Sequence, residues 1–347
     1  MNGAEALVRS LAGSGIDVCF TNPGTSEMHF VAALDRLDLI YCVLALQENV
    51  ATGAADGYAR MTGQPAATLL HLGPGFGNGL ANVHNAKKAR VPMINIVGEH
   101  ASYHIKYNAP LTSDIEAIVT PVSDYVVTSS HPDDVGTDAA RAVAQAKTWP
   151  GKIATMILPA DMAWSKTDIV GDGLLPDAPG RVVAEEVEAV AAALKSDKKA
   201  VMFCSGAVLI DPNLEKLGKV RAASGVDLIS QTSNRRIDRG AGRVVVDKLP
   251  YVVDLAIETL KDYDVIILVG TDEPVGFFAY PEKPSKLSPE GAEILRLAGP
   301  EQNTFEALDM LIDALDAKDL EVEVAAYEEA ADISKLSGPI TPEAISA

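Results

Sequence analysis

The sequence has few basic residues, few cysteines and no long apolar run, and each shortage excludes a class of protein. It carries 29 Lys and Arg against 48 Asp and Glu, a formal net charge of −19, whereas nucleic-acid binding needs a basic footprint. No apolar run approaches the ~20 residues that span a bilayer. The N-terminal stretch MNGAEALVRSLAGSG holds an acid and lacks the basic start of a signal peptide. We therefore expect a soluble, cytoplasmic protein that binds neither nucleic acid nor a membrane.

The three cysteines, Cys19, Cys42 and Cys204, are too few and too widely spaced for a disulfide framework. All three lie in apolar runs. We predict that all three are buried free thiols.

The length of 347 residues and a hydrophobic content of 48% suggest two domains with substantial cores. Short apolar runs alternate with helical patterns, as in a parallel sheet covered by helices. The predicted fold class is α/β, with two parallel-sheet, Rossmann-like domains. We place a first domain at residues 1–165, a polar linker at 166–182, a central domain at 183–320 and an acidic tail at 321–347.

Glu48 follows an apolar run after a single residue, so we expect it at the carboxyl edge of the first sheet, where ligands bind in open α/β folds. It is either a helix-start charge or a functional acid in a cleft. Gly53 and Gly57 lie four residues apart on one face of the following helix, and each costs ~1 kcal/mol relative to alanine. Such glycines suit close packing, either within the monomer or between two subunits.

Two loops should lie at the same edge. In TNPGTSE, Gly24 can supply a positive φ, and Thr25 or Ser26 can cap the next helix. The second loop is HLGPGFGNG, from His71 to Gly79. It fails the G-x-G-x-x-G pattern, which argues against a nicotinamide-dependent dehydrogenase.

Taken in order, TNPGTSE, LALQENVATGAADGYAR, LLHLGPGFGNG and GKIATMILPADMAW resemble the pyrimidine-binding domain of thiamine-diphosphate-dependent enzymes. The resemblance covers residues 1 to about 165 and is greatest to the acetolactate synthase and benzoylformate decarboxylase branch. The second half resembles the central domain of that family more loosely.

The resemblance implies two catalytic residues. The activating glutamate of the family falls on Glu48, whose carboxyl would hydrogen-bond the aminopyrimidine ring of thiamine diphosphate. His71 matches the histidine of benzoylformate decarboxylase, which moves protons on the substrate adduct. An unperturbed histidine titrates in the range that a proton shuttle requires.

The same resemblance implies further cofactor contacts. Pro23, Gly24 and Thr25 match the loop beside the pyrimidine, and Gly73 and Asn78 match the glycine-rich turn over the same ring. Sites of this family form between two chains, so a homodimer or a dimer of dimers is implied.

One feature departs from the family pattern. The family binds the diphosphate and Mg²⁺ in a third domain, through a G-D-G motif followed by an asparagine. Here Gly171-Asp172-Gly173 lies in the linker without that asparagine, so we assign no metal ligand in this chain. Pro342-Glu343 resembles the start of the third domain. We expect the diphosphate domain to be absent from these residues, and the chain alone to be inactive.

The function that the resemblance implies is decarboxylation or carboligation of a small 2-oxo acid, as in acetolactate synthase. A benzoylformate-decarboxylase-like lyase and a non-catalytic, nucleotide-binding regulatory protein remain as alternatives. Some relatives bind FAD in the central domain, where Ser205-Gly206-Ala207 and Gly270-Thr271-Asp272 follow strands. Ordinary strand-to-helix turns explain those residues equally well, so FAD is not supported.

Overall fold

The computed structural model describes residues 1–327 and 337–341. The chain divides into two compact units, the first made of residues 1–182, 233–236 and 300–303, and the second of residues 183–232, 237–299 and 304 onward. Pro342-Glu343, which resembles the start of a third domain, lies outside the described residues.

The first unit contains a six-stranded sheet with the order β2-β1-β3-β4-β6-β5. All its strand pairs are parallel. The strands are β1 (Val18–Asn22), β2 (Tyr41–Leu44), β3 (Ala66–Leu70), β4 (Met93–Glu99), β5 (Tyr125–Thr128) and β6 (Ile153–Pro159). The helices are α1 (Gly3–Gly13), α2 (Met28–Leu37), α3 (Glu48–Thr62), α4 (Leu72–Lys88), α5 (Ile115–Val119), α6 (Asp134–Lys147) and α7 (Ala160–Trp164).

Three inner strands of this sheet are mostly apolar because helices cover both faces. Every residue of β3, β4 and β6 is buried. One core cluster lies on the face of α1, α2 and α6, and a second lies on the face of α3, α4 and α5. These two layers hold the carboxyl ends of the strands in fixed positions.

The second unit contains a five-stranded parallel sheet with the order β11-β10-β7-β8-β9. Its strands are β7 (Ala200–Cys204), β8 (Asp227–Ser230), β9 (Asp247–Lys248), β10 (Val265–Val269) and β11 (Glu293–Ala298). Its helices are α8 (Ala184–Leu194), α9 (Asn213–Ser224), α10 (Val253–Leu260) and α11 (Thr304–Ala314). The two parallel sheets confirm the predicted fold class.

The structure corrects the prediction for one cysteine. Cys19 and Cys204 are buried and free, but Cys42 is exposed. Cys42 belongs to β2, which is an edge strand with mostly exposed residues. Its apolar run therefore does not indicate burial on both faces.

None of the helices in the described ranges is long and apolar enough to cross a bilayer.

Candidate active site

The predicted site residues meet where the strand order of the first sheet reverses. The chain moves from β1 to β2 on one side and then returns to place β3 on the other side of β1. Such a switch point opens a crevice beyond the carboxyl ends of the strands. The residues after β1, the first residue of α3 and the residues after β3 all border it.

Glu48 is the first residue of α3 and is only 8% exposed. The Asn78 side-chain amide donates a hydrogen bond of 3.0 Å to Glu48 Oε2. The other oxygen, Oε1, accepts no hydrogen bond from the described residues. Oε1 is not sealed from solvent, so Glu48 has one oxygen held in place and one available to a ligand.

The glycine-rich segment after β3 is helical, where a loop up to about Asn78 was predicted. α4 starts at Leu72, and its glycines admit neighbours that a side chain would displace. A Cβ at Gly75 would lie 3.1 Å from Glu48 Oε1, and a Cβ at Gly73 would lie 2.0 Å from Ser113 Oγ. The glycines therefore serve close approach, at a cost of ~1 kcal/mol each in helix stability.

Thr52 joins α3 to α4 beneath Glu48. It is fully buried, and its hydroxyl lies 3.1 Å from the carbonyl oxygens of Glu48 and Gly79. A Cβ at Gly79 would lie 2.8 Å from the Thr52 methyl group. This contact fixes the start of α3, and with it the Glu48 carboxylate.

The two glycines of α3 have different surroundings. A Cβ at Gly53 would lie 2.9 Å from the Asn82 side-chain nitrogen on α4, so packing inside the monomer explains this glycine. A Cβ at Gly57 would meet nothing within 4 Å. Packing within the described residues therefore leaves Gly57 unexplained.

His71 lies directly after β3 and contacts a carboxylate that the sequence did not single out. Its Nδ1 atom is 2.8 Å from Glu27 Oε2. Glu27 is only 3% exposed. The one sequence signal for Glu27 is its position shortly after the end of β1, which alone does not separate it from an ordinary helix-start acid.

The loop after β1 differs from the prediction in two details. Gly24 is extended, with φ −119°, and does not adopt a positive φ. It must be glycine because a Cβ would lie 2.2 Å from His71 Nδ1. Neither Thr25 nor Ser26 caps the helix. Instead, the Gly24 N–H donates to Glu27 Oε2 at 2.7 Å. Pro23 precedes this turn, beyond the end of β1.

A second buried acid, Glu99, ends β4 at the same edge of the sheet and was also missed. It is 6% exposed, and the His100 N–H donates to its Oε1 at 2.6 Å. Burial raises the pKa of the Glu99 carboxyl, against the effect of that hydrogen bond.

The G-D-G segment has a structural role. Gly171 N–H donates to Ser10 Oγ at 2.8 Å, and a Cβ at Gly171 would lie 2.1 Å from the Gly136 carbonyl oxygen. Across the part of the chain that the structure describes, no group of three or more His, Cys, Asp or Glu side chains could hold a metal ion.

Residues 1–118 match the family model described as "Thiamine pyrophosphate enzyme, N-terminal TPP binding domain". Thiamine pyrophosphate is another name for thiamine diphosphate. The chain is a relative of the thiamine pyrophosphate enzymes. It is 48% identical over 300 residues to the "Putative acetolactate synthase large subunit IlvX" of Mycobacterium tuberculosis, covering 86% of this chain and 58% of that protein.

Two more distant similarities were found, one in sequence and one in fold alone. The acetolactate synthase large subunit of Corynebacterium glutamicum is 29% identical over 236 residues, which cover 66% of this chain and 37% of that protein. The thiamine diphosphate-dependent 4-hydroxybenzoylformate decarboxylase of Rhodococcus jostii RHA1 has a similar fold, with a TM-score of 0.75 at 18% identity. That match covers 95% of this chain and 66% of the solved one. The chain therefore spans well under two thirds of the length of its curated relatives.

Proposed function

We propose that this chain binds the pyrimidine half of thiamine diphosphate in an acetolactate-synthase-like enzyme that acts on a small 2-oxo acid. The observation that carries the proposal is the buried Glu48 carboxylate. Asn78 holds one of its oxygens, and the other lies without a donor close to Gly75. A ring nitrogen that carries hydrogen is the partner this oxygen lacks.

In this proposal the cofactor supplies the chemistry, and each site residue binds, orients or moves a proton. Bound thiamine diphosphate supplies the carbon nucleophile and the electron sink for decarboxylation. Glu48 Oε1 holds or accepts a proton at the pyrimidine ring, and Asn78 orients the carboxylate. Pro23, Gly24 and Thr25 would border the ring and the substrate. Gly73 would belong to the turn beside the ring, and its lack of a side chain admits Ser113 Oγ. His71 moves a proton on the substrate side.

The choice between two reactions rests on different observations. The similarity to acetolactate synthase large subunits favours carboligation, in which the decarboxylated fragment is transferred to a second carbonyl group. The contact between His71 Nδ1 and Glu27 favours the alternative, a benzoylformate-decarboxylase-like lyase that protonates the fragment and releases an aldehyde.

The described residues fit only part of the cofactor. The pyrimidine end has a site, whereas no described cluster could hold Mg²⁺. We propose that protein outside these 347 residues binds the diphosphate and the metal, and that the assembled enzyme is cytoplasmic.

We also propose that the first unit pairs with a second copy of itself through β2 and α3. Large apolar side chains are exposed there, including Leu46 at 93%, Tyr41 at 75%, Met61 at 68% and Val50 at 59%. Exposed large apolar side chains on neighbouring segments mark an interaction surface. The open space at Gly57 lies on the same helix and suits close approach of a second backbone.

The proposed function is tested by turnover of protein isolated from its native cells through an affinity tag, so that anything it assembles with is retained. The assay supplies thiamine diphosphate, Mg²⁺ and a panel of 2-oxo acids. A new carbon–carbon bond supports carboligation, and aldehyde release supports the lyase. No CO₂ release from any acid, together with tight binding of adenine nucleotides, would overturn the proposal in favour of a regulatory protein.

The role of Glu48 is tested in the same assay with Glu48→Gln, which keeps the size of the side chain and removes its charge. General acid–base catalysis contributes about 10²–10⁴-fold, so we expect a loss of that size. Glu116→Gln on the exposed side of α5 is the matched control, and it should retain full turnover.

A further inference from the structure

Glu27 is a buried carboxylate with no lysine or arginine partner among the described residues. It is 3% exposed, and all its contacts come from one small group of neighbours. Oε2 accepts a hydrogen bond from the Gly24 N–H at 2.7 Å and lies 2.8 Å from His71 Nδ1. Oε1 accepts from Ser26 Oγ at 2.5 Å. Burying a charge in this way is costly unless its partners are fixed.

The surrounding backbone makes room for this carboxylate. A Cβ at Gly98, on β4, would lie 1.7 Å from Glu27 Oε1, so no side chain other than hydrogen fits there. A Cβ at Gly24 would similarly overlap the His71 ring. Gly98 therefore leaves space for the Glu27 carboxylate, and Gly24 leaves space for the His71 ring, so that the two side chains can contact each other.

The contact with Glu27 involves only one nitrogen of the His71 ring. Nδ1 faces Glu27 Oε2 and lies 3.4 Å from Ser26 Oγ. Nε2 makes no hydrogen bond within residues 1–327 and 337–341. An ionised carboxylate can only accept hydrogen bonds, so the nitrogen that faces it must carry the hydrogen. In neutral imidazole the other nitrogen then has a free lone pair.

We propose that Glu27 is a positioning residue that keeps the proton of neutral His71 on Nδ1 and leaves Nε2 as the nitrogen that exchanges protons. When Nε2 takes a proton, the ring becomes imidazolium with a hydrogen on each nitrogen. The Glu27 carboxylate then faces a positive charge. When Nε2 gives that proton up, the starting tautomer returns. The assignment of the tautomer stands on geometry alone, whereas its use in catalysis rests on the proposed function of His71.

The test is the tautomer of His71 in the whole chain, labelled with ¹⁵N at its six histidines and observed by NMR at a pH where the ring is neutral. A His71→Asn variant identifies the His71 signals. We expect wild-type His71 to carry its hydrogen predominantly on Nδ1. In Glu27→Gln the amide can donate as well as accept, so the Nδ1–H population should fall and the Nε2–H population should rise.

Two further variants separate positioning from general disturbance. Ser26→Ala removes the second neighbour of Nδ1 but keeps the carboxylate, and it should leave the tautomer as in the wild type. Glu27→Asp keeps an acceptor-only group and should retain more Nδ1–H than Glu27→Gln. Circular dichroism establishes that each variant is folded.

Two results would overturn the inference. One is a folded Glu27→Gln variant in which His71 keeps its hydrogen on Nδ1. The other is wild-type protein with the hydrogen on Nε2, which needs no variant to fold. The measurement requires no cofactor and no turnover, so His71 with its hydrogen on Nδ1, in a protein that releases no CO₂ even as isolated from its native cells, would refute the proposed function alone. An active enzyme without the tautomer change would refute this inference alone.

Discussion

Replacing Gly79 with alanine should destabilise the first unit, although alanine is the better helix former. The new Cβ would lie 2.8 Å from the Thr52 methyl group and 3.4 Å from the Glu48 carbonyl oxygen. Thr52 cannot easily move, because β-branched side chains are stiff about χ1 and its hydroxyl is hydrogen-bonded to α3 and α4 carbonyls. The substitution therefore forces α4 away from α3.

Gly77→Ala makes the same chemical change in the same helix without that contact. Gly77 is exposed, and a Cβ there would meet nothing within 4 Å. It should gain the alanine helix propensity of about 1 kcal/mol. Gly79→Ala gains the same amount but loses about 1–3 kcal/mol by overpacking. The two variants should therefore differ in unfolding free energy by about 1–3 kcal/mol.

The assay is calorimetric unfolding of both variants beside the wild type, reading the transition of the first unit. For a domain of this size each kcal/mol corresponds to about 2–4 °C in Tm. Gly77→Ala should melt above the wild type and Gly79→Ala below Gly77→Ala. Equal shifts in the two variants would refute the close approach of α3 to α4, and with it the support that holds Glu48.

Three other substitutions test separate parts of the structure. Burial raises the pKa of the Asp138 carboxyl above its ordinary 3.8, so the folded state binds the proton more tightly and wild-type stability falls as pH rises from 3.8 through the raised value. Asp138→Asn has no carboxyl group and avoids that loss. The unfolding free energy of the variant minus that of the wild type should therefore be larger at about pH 7 than at acid pH, as measured by denaturation. A difference that does not change with pH would contradict the burial argument. Val50→Asp should dissociate the proposed dimer in light scattering, whereas Leu175→Asp, equally an exposed apolar position, should not; two unchanged masses would exclude this surface. Gly98→Ala should lower Tm because its Cβ overlaps Glu27 Oε1, and an unchanged Tm would show that the carboxylate lies elsewhere.

The parallel α/β architecture was predictable because its central strands are apolar on both faces. β3 and β10 occur almost as the apolar runs indicated. β5, β9 and β11 were not predicted; they are edge strands with partly or fully exposed residues. These edge strands have a neighbour on one side only and carry no long apolar run, so periodicity does not separate them from a loop, whereas the edge strand β2 does carry such a run.

The candidate site was predictable only as far as the motif residues extend. Glu48, Asn78 and His71 lie in quoted motifs, and the fold brings each to the same edge of the sheet. The role of Glu27 depends on a glycine from β4, far along the chain, that leaves space for its carboxylate. No local pattern around Glu27 encodes that space, and the same holds for the burial of Glu99.

The most direct test of the central claim is a titration of this chain with thiamine diphosphate, followed by NMR at the side-chain amide of Asn78. That amide donates to Glu48, so a pyrimidine ring bound at the other carboxylate oxygen should shift its signal. We predict a weak, saturable shift in the wild type and at least about tenfold weaker binding in Glu48→Gln, the equivalent of about 1.4 kcal/mol. An Asn78 signal that does not move at saturating cofactor, or that moves equally in Glu48→Gln, would contradict the account.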